Sequence, residues 1–122
     1  MMSGSRDSDH LPLPPHLFEV LLALVEGPQH GYALISEIER RTGGRVALGT
    51  SSLYAAVHRL RRSGLVEDAP SSEASAGAPR RAYGLTPRGR RVLKLEALRL
   101  QDAAERARRG VLEGEGLPGE SA

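Results

Sequence analysis

The stretch GTSSLYAAVHRLRRSGL, residues 49–65, decides the fold that we predict, because it contains the start, the body and the end of one amphipathic helix. Thr50 or Ser51 can cap the first turn by accepting a hydrogen bond from a backbone N–H. Gly64 suits the left-handed backbone position that ends a helix. The stretch therefore predicts a helix that ends at Gly64.

The two sides of this helix differ in chemistry. At 100° per residue, one side is apolar, and its members are Leu53, Ala56, Val57 and Leu60. The other side is narrow, polar and cationic, with small side chains at its start, and its members are Ser51, Ser52, Ala55, His58, Arg59 and Arg62. Such a face is typical of a helix that lies in the major groove of DNA. A solvated face on a core helix explains this one helix equally well.

Composition excludes several classes of site. The 122 residues correspond to one domain. The absence of cysteine excludes disulfides, thiolate metal sites and a cysteine nucleophile. The four histidines have no metal-ligand spacing, so we expect neither a metal nor a cofactor. No apolar run reaches the roughly 18 residues of a membrane span, and residues 1–10 lack the apolar stretch of a signal peptide. We therefore expect a cytoplasmic protein without a membrane partner.

The net charge of +2 hides an uneven distribution. Residues 50–91 hold eight basic and three acidic side chains, whereas the rest of the chain holds nine basic and twelve acidic ones. The cations are therefore concentrated around the helix of residues 49–65. Arginine, which supplies all but one of the basic side chains, binds phosphate and guanine with two hydrogen bonds. This distribution favours a nucleic-acid partner.

The first forty residues predict an arm and two helices. Prolines in LPLPP, residues 11–15, forbid a helix before about His16, so we interpret residues 1–15 as a flexible arm. Residues 17–26 are apolar nearly all round, which predicts a helix covered on several sides, in part by a second subunit. Residues 32–42 predict a second, amphipathic helix, and His30 before it is expected to be a turn or capping residue.

A β-hairpin is predicted after Gly64. Two short extended runs, 65–68 and 80–85, enclose a loop rich in Pro, Ser, Ala and Gly. The loop ends in Arg80 and Arg81. A helix followed directly by a hairpin with a basic shoulder is the winged helix-turn-helix arrangement, in which the wing touches the DNA backbone. We assign this domain to residues 16–86. The predicted fold is thus mainly α with a small β-hairpin.

A long helix is predicted from Thr86-Pro87, a cap followed by proline at the first helical position. It can run to about Arg109. Apolar residues follow a 4-3-4-3-4 spacing typical of a helix that packs on another helix. The six residues of this spacing are Leu93, Ala97, Leu100, Ala104, Ala107 and Val111. Because three of them are alanine, this side of the helix needs a second packing partner, for which the apolar first helix is the candidate. The predicted dimerisation residues are Leu17, Leu21, Leu93, Ala97, Leu100, Ala104 and Ala107. Residues 87–111 are the predicted dimerisation helix, and residues 112–122 a disordered tail.

Four blocks in this order resemble the PadR family, the phenolic acid decarboxylase regulators, across about residues 17–110. They are LVEGPQHGY at 24–32, LGTSSLY at 48–54, RLRRSGLV at 59–66 and RRAYGLTPRG at 80–89. The resemblance implies a dimeric winged-helix transcriptional regulator, often a repressor, whose C-terminal helix mediates dimerisation. The chain is similar to the family's short form, with one C-terminal helix.

The resemblance also assigns two tyrosines and bears on how a ligand could bind. The family's helix tyrosine maps to Tyr54 and its wing tyrosine to Tyr83. Tyr54 lies about 100° from Leu53, at the edge of the apolar side, where it either supports the helix or touches a phosphate. Some relatives bind drug-like ligands between subunits with a tryptophan, and this chain contains none.

The functional hypothesis is sequence-specific binding of double-stranded DNA by a homodimer at a pseudo-palindromic site. We expect Ser51, Ser52, Ala55, His58 and Arg59 to meet base edges or nearby phosphates, and Arg62, Arg80 and Arg81 to neutralise phosphates. A small apolar effector, if one exists, is expected at the dimer interface between the first and last helices.

A protein-binding module and an enzyme are the two rival functional classes. A winged-helix module that binds protein uses the same fold, but the concentrated positive charge argues against it. An enzyme is disfavoured because the chain shows no carboxylate pair and no nucleophile beside a base. His58 is six and seven residues from Ser52 and Ser51, two helical turns away and too far to activate either.

Overall fold

Four helices and three short strands make up the computed structural model, which describes residues 6–70 and 81–113. The helices are α1 Pro15–Ala23, α2 Gly31–Thr42, α3 Thr50–Arg62 and α4 Pro87–Ala107. The strands are β1 Gln29–His30, β2 Val66–Ala69 and β3 Ala82–Leu85. A 3₁₀ turn, Asp7–His10, precedes α1, and a π-helical turn, Arg108–Leu112, follows α4. The predicted class, mainly helical with a small β element, is confirmed.

Local backbone chemistry sets most helix ends. The predicted left-handed glycine after α3 is confirmed, since Gly64 has φ 77°. The predicted start of α4 is also confirmed, because the Thr86 Oγ1 accepts a hydrogen bond from the Gly89 N–H at 2.9 Å. The predicted side-chain cap of α3 is wrong: Gly49 occupies the capping position, and neither Thr50 nor Ser51 caps the helix.

The sheet has one more strand than the predicted hairpin. Its order is β1-β3-β2, with both pairs antiparallel. β3 is central, and its Tyr83 lies opposite Gln29 of β1 and Asp68 of β2. A strand of two residues is too short to show the alternation of apolar and polar side chains that would predict it. The pairing brings the start of α2 next to the wing.

The core lies among α1, α2, α3, the sheet and the first half of α4. Leu17 and Leu21 are only 3% and 0% exposed, and Leu93 is 7% exposed. Their own subunit therefore already covers these three residues, which the sequence predicts at a dimer interface. Phe18 and Leu22 of α1 are only partly buried by these neighbours.

The segment before α1 is packed on α4 as a strap, which we define as residues 6–14. Leu13 is buried, and its N–H donates to the Glu96 Oε2 at 2.9 Å. Asp7 accepts hydrogen bonds from Arg91 at 2.8 Å and Arg88 at 3.2 Å. The expectation of a flexible arm over residues 1–15 is thus corrected for its described part, because apolar contacts and carboxylate pairs fix it.

Two predicted features lie outside the described residues. Most of the hairpin loop, with Arg80, falls in 71–80, and most of the tail falls in 114–122. In the part of the chain that the structure describes, no helix is both long and apolar enough to cross a bilayer.

Candidate nucleic-acid interface

Helix α3 presents the two predicted faces. Leu53, Ala56, Val57 and Leu60 are 3% exposed or less. The predicted contact residues on the opposite side are all exposed, namely Ser51, Ser52, Ala55, His58, Arg59 and Arg62. The division follows from the helical repeat, since the apolar side packs on α1 and α2 and the polar side is left facing solvent. Small side chains at the start of this face let a partner approach the backbone.

The arginines at the end of α3 differ in their partners. Arg61 is held by Asp68 of β2, with 2.7 Å between Nη1 and Oδ1. Within the described ranges, neither Arg59 nor Arg62 is paired with a carboxylate. The Arg61 pair fastens the wing to the helix, and Arg59 and Arg62 keep their charges available for an external anion. Arg61 was not among the predicted contacts.

Arg81 approaches the same helix from the wing. It is exposed, directly precedes β3, and has no carboxylate partner among the described residues. Together with α3 and the start of α2 it borders an open groove of about 860 Å³, which we call the tyrosine groove. Its lining residues are His30, Gly31, Tyr32, Tyr54, Val57, His58, Arg61, Arg81 and Tyr83. The fold thus brings two predicted contact residues of α3 beside a predicted wing residue.

Tyr54 stands between core and solvent, as its angle on the helix predicted. Its side chain is 47% exposed, and its hydroxyl lies against Gly31, where a Cβ atom would be only 2.8 Å from the Tyr54 oxygen. Tyr54 therefore packs on the start of α2 and still presents part of its ring to the groove. Contact with a phosphate stays a prediction.

Tyr83 is buried at the base of the groove, with 2% exposure. Burial, reinforced by the neighbouring Tyr54, raises the pKa of the Tyr83 phenol above its ordinary 10.0. The phenol therefore stays neutral at physiological pH. We infer that Tyr83 supports the groove from its buried base.

Tyr32 is the groove residue that sequence reasoning missed. It is 78% exposed, the largest exposure of any described large apolar or aromatic side chain. It lies off the inward stripe of α2 formed by Leu34, Ile35 and Ile38. A tyrosine outside that stripe was the available signal, but only the pairing of β1 with β3 places it beside the wing.

A second groove, of about 450 Å³, borders the other flank of α3. Its lining includes Ser52, Ala55 and Arg59 of α3, and His16 at the start of α1. The predicted contact face is therefore a ridge between two grooves, a shape that suits insertion into a concave partner.

The distal half of α4 carries the remaining predicted dimerisation residues. Ala97, Leu100, Ala104 and Ala107 are all exposed, with Leu100 at 40%. Their side of the helix continues the buried side of its first half, where Val92 and Leu93 meet the core. The described part of this subunit therefore leaves an apolar strip of α4 in solvent.

Known proteins share the sequence pattern of this domain. The family model described as "Transcriptional regulator PadR-like family" matches residues 20–95. This range runs from within α1 through α2, α3 and the sheet into the first half of α4.

One curated relative and two solved structures illustrate the similarity. An "Uncharacterized 37.1 kDa protein in transposon TN4556" of Streptomyces fradiae is 45% identical over 78 residues, which are 64% of this chain and 21% of that protein. The chain thus spans about a fifth of that relative's length. A transcriptional regulator from Clostridium thermocellum superposes with TM-score 0.64 at 23% identity, covering 78% of this chain and 91% of the other. Bacillus subtilis PadR in complex with operator DNA gives TM-score 0.58 at 20% identity, covering 68% and 46% of the two chains.

Proposed function

Because the chain belongs to the transcriptional regulator PadR-like family, we propose that it acts on transcription by binding double-stranded DNA with α3. Members of this family are transcription regulators and not enzymes. The observation that carries the proposal is the exposed ridge of α3, with small side chains at its start and, at its end, arginines that have no carboxylate partner in the described part of the chain. A B. subtilis relative of the same fold was solved with operator DNA. We also propose a cytoplasmic location, as the sequence predicts.

The contacts divide by position along the ridge. Ser51, Ser52 and Ala55 let the helix approach the floor of the major groove, where base edges are read. His58 and Arg59 follow on the same face and reach base edges or adjacent phosphates. Arg62 at the end of the helix and Arg80 and Arg81 of the wing neutralise phosphates, which sets affinity but carries no sequence information.

A homodimer is the proposed functional unit. The exposed strip of α4, formed by Ala97, Leu100, Ala104 and Ala107, offers an apolar surface with helical spacing. Burying this strip against the same strip of a second copy removes it from water and creates two-fold symmetry. Two symmetric α3 helices then require a pseudo-palindromic site with half-sites about one helical turn apart.

Repression released by a small apolar effector is the proposed mode of regulation. A repressor that covers a promoter needs only to bind its site, and an effector that binds between subunits alters the spacing of the two α3 helices. Since Leu17 and Leu21 are inside the core, such an effector would contact the exposed strip of α4.

Selection of bound sequences from random duplex DNA tests this function. We expect enrichment of an inverted repeat, and affinity for it that falls steeply between about 50 and 200 mM salt. Arg59→Ala and Arg62→Ala should each weaken binding, whereas Lys94→Ala, an exposed cation on α4, should not. A wild-type protein that binds no duplex even in dilute salt would contradict the proposal and favour a protein-binding module.

A further inference from the structure

We propose that the tyrosine groove seats a phosphodiester group of the DNA backbone, held by the hydroxyls of Tyr32 and Tyr54 and the guanidinium of Arg81. This inference rests on the proposed function and extends the DNA contact from α3 and the wing to α2. It assigns Tyr32 a role in binding that neither the helix face nor the wing predicts.

Three different elements supply these groups. Tyr32 belongs to α2, Tyr54 to α3, and Arg81 directly precedes β3. All three line one groove and all three are exposed, with Tyr32 at 78% and Tyr54 at 47%. A phenol can donate its hydroxyl hydrogen to a phosphate oxygen, and arginine can add two charge-assisted hydrogen bonds. The combination fits one tetrahedral anion approached from several sides.

The charge of the lining selects an anion. The residues that line the groove include Arg61 and Arg81 and no aspartate or glutamate, within the part of the chain that the structure describes. The adjacent carboxylate of Asp68 is already paired with Arg61. Arg81 has no such partner among the described residues. Among the described residues, an anion entering the groove therefore meets the guanidinium of Arg81 without a carboxylate partner and no uncompensated acid.

The position of the groove identifies the anion as part of the duplex. Tyr54 and His58 line the groove and also lie on the exposed part of α3. The major groove is about 12 Å wide, so a helix lying in it has a sugar-phosphate strand on either side. The tyrosine groove borders one flank of α3 directly, which is where one of those strands would run.

Gly31 allows the tyrosines to share the groove. A Cβ atom at this position would lie 2.8 Å from the Tyr54 oxygen and 3.2 Å from its Cζ. Without that atom, the Tyr54 hydroxyl can lie against the start of α2, next in sequence to Tyr32. Because Gly31 has no side chain, the Tyr54 hydroxyl can occupy the side of the groove that Tyr32 borders.

The test measures how Tyr32→Phe binds two duplexes, the sequence selected by the wild-type protein and an unrelated sequence of equal length. Loss of one hydrogen bond to a charged group should weaken binding about tenfold. Because phosphates are the same in both duplexes, the fold-change should be equal for both. The salt dependence should keep its slope, since tyrosine is neutral, whereas Arg81→Ala should reduce the slope by about 0.9. Lys94→Ala serves as the matched control for loss of a charge.

Modified DNA combined with the Tyr32→Phe variant identifies which phosphate Tyr32 contacts. Single phosphates of the selected duplex are replaced in turn by neutral methylphosphonates. At the contacted position the wild-type protein should lose more than tenfold in affinity, because all three contacts go. Tyr32→Phe should lose about tenfold less there than the wild type does, because it already lacks one of the three. Thermal unfolding of Tyr32→Phe and Tyr32→Ala should match the wild type, since the side chain is mostly exposed.

The results separate two kinds of failure. Wild-type binding to neither duplex at low salt removes the proposed function and this inference with it. Wild-type binding combined with undiminished affinity of Tyr32→Phe and Tyr32→Ala overturns the inference alone. A loss confined to the selected duplex also overturns it, because it would make Tyr32 a base contact.

Discussion

At the scale of single residues, Gly89 shows how closely α4 packs on the winged domain. It lies in the first turn of α4 and is buried. A Cβ atom here would collide with the carbonyl oxygen of Leu65 and would lie 2.9 Å from a methyl carbon of Leu85. The first obstacle is backbone, which cannot rotate away as a side-chain tip can.

We therefore expect Gly89→Ala to lower the free energy of unfolding by about 1–3 kcal/mol. Alanine is the better helix former by about 1 kcal/mol, so intrinsic propensity acts in the opposite direction. Urea denaturation checks the outcome. Gly110→Ala is the control, because nothing lies within 4 Å of a Cβ atom there. Equal stability of the two variants would contradict the close approach.

Glu96 is a buried carboxylate whose partners come from two elements. Its side chain accepts hydrogen bonds from Arg99, at 2.5 Å and 3.0 Å, and from the Leu13 N–H of the strap. The Arg99 hydrogen bond, assisted by the Leu13 N–H, holds the pKa of Glu96 below its ordinary 4.5, although burial opposes this. The charged form is thus the one that the fold stabilises.

This shift predicts an acid-sensitive contribution to stability. Because the native pKa is lowered, the contribution is complete above the unfolded value of 4.5 and is lost as pH falls through the native pKa. Glu96→Gln should be less stable than the wild type near neutral pH, and the difference should shrink in acid. Urea denaturation across this pH range measures it. A difference independent of pH would mean that the charge of Glu96 contributes nothing.

At the scale of secondary-structure elements, Thr86 joins the start of α4 to the end of α3. Its Oγ1 accepts from the Gly89 N–H and donates to the Gly64 carbonyl at 2.7 Å. Its own N–H donates to the Leu65 carbonyl at 3.1 Å. One threonine therefore caps α4 and fixes its start relative to the end of α3.

Loss of the Thr86 hydroxyl should destabilise the fold. We expect Thr86→Ala to lower the free energy of unfolding by about 1–2 kcal/mol, as for other helix caps. Thr86→Ser keeps the hydroxyl and should cost much less. Denaturant titrations of the three proteins compare these values. If serine proved as damaging as alanine, the missing methyl group and not the hydrogen bonds would be responsible.

Sequence patterns predicted the elements that depend on local chemistry. One or two turns of sequence are enough to predict the amphipathic repeat of α3, Gly64 after it and Thr86-Pro87 before α4. Local sequence is not enough to predict β1 or the strap. Two residues of β1 are too few to show a period, and the Leu13 N–H of the strap donates to Glu96, 83 positions away in sequence. The same limit explains why the face of α3 was predicted and the place of Tyr32 beside it was not.

At the scale of the whole molecule, apolar residues that are buried within their own subunit and apolar residues that are buried against a second copy show the same spacing in the sequence. Leu17, Leu21 and Leu93 are apolar for the first reason, since their own domain covers them. Leu100 shares the helical side of Leu93 but extends past the domain and is 40% exposed. Covered and exposed positions on this side of α4 differ only because α4 extends beyond the core of its own subunit.

The proposed dimer can be tested at Leu100. Leu100→Asp should raise the dissociation constant of the dimer at least 100-fold, an order-of-magnitude expectation for exposing two leucines and adding two charges. Sedimentation equilibrium measures it. Leu98→Asp is the control, because Leu98 is 55% exposed on the other side of α4. A dimer that survives Leu100→Asp would place the contact elsewhere.

The packing of Tyr54 on Gly31 has a consequence for the evolution of this family. Glycine at position 31 is favoured while a phenol occupies position 54, since the two nearest atoms to a Cβ at 31 are the hydroxyl oxygen and Cζ of Tyr54. A homologue with serine or alanine at 54 has room for a methyl group at 31. The two positions should therefore covary among homologous regulators, although they are far apart in sequence and lie on different helices.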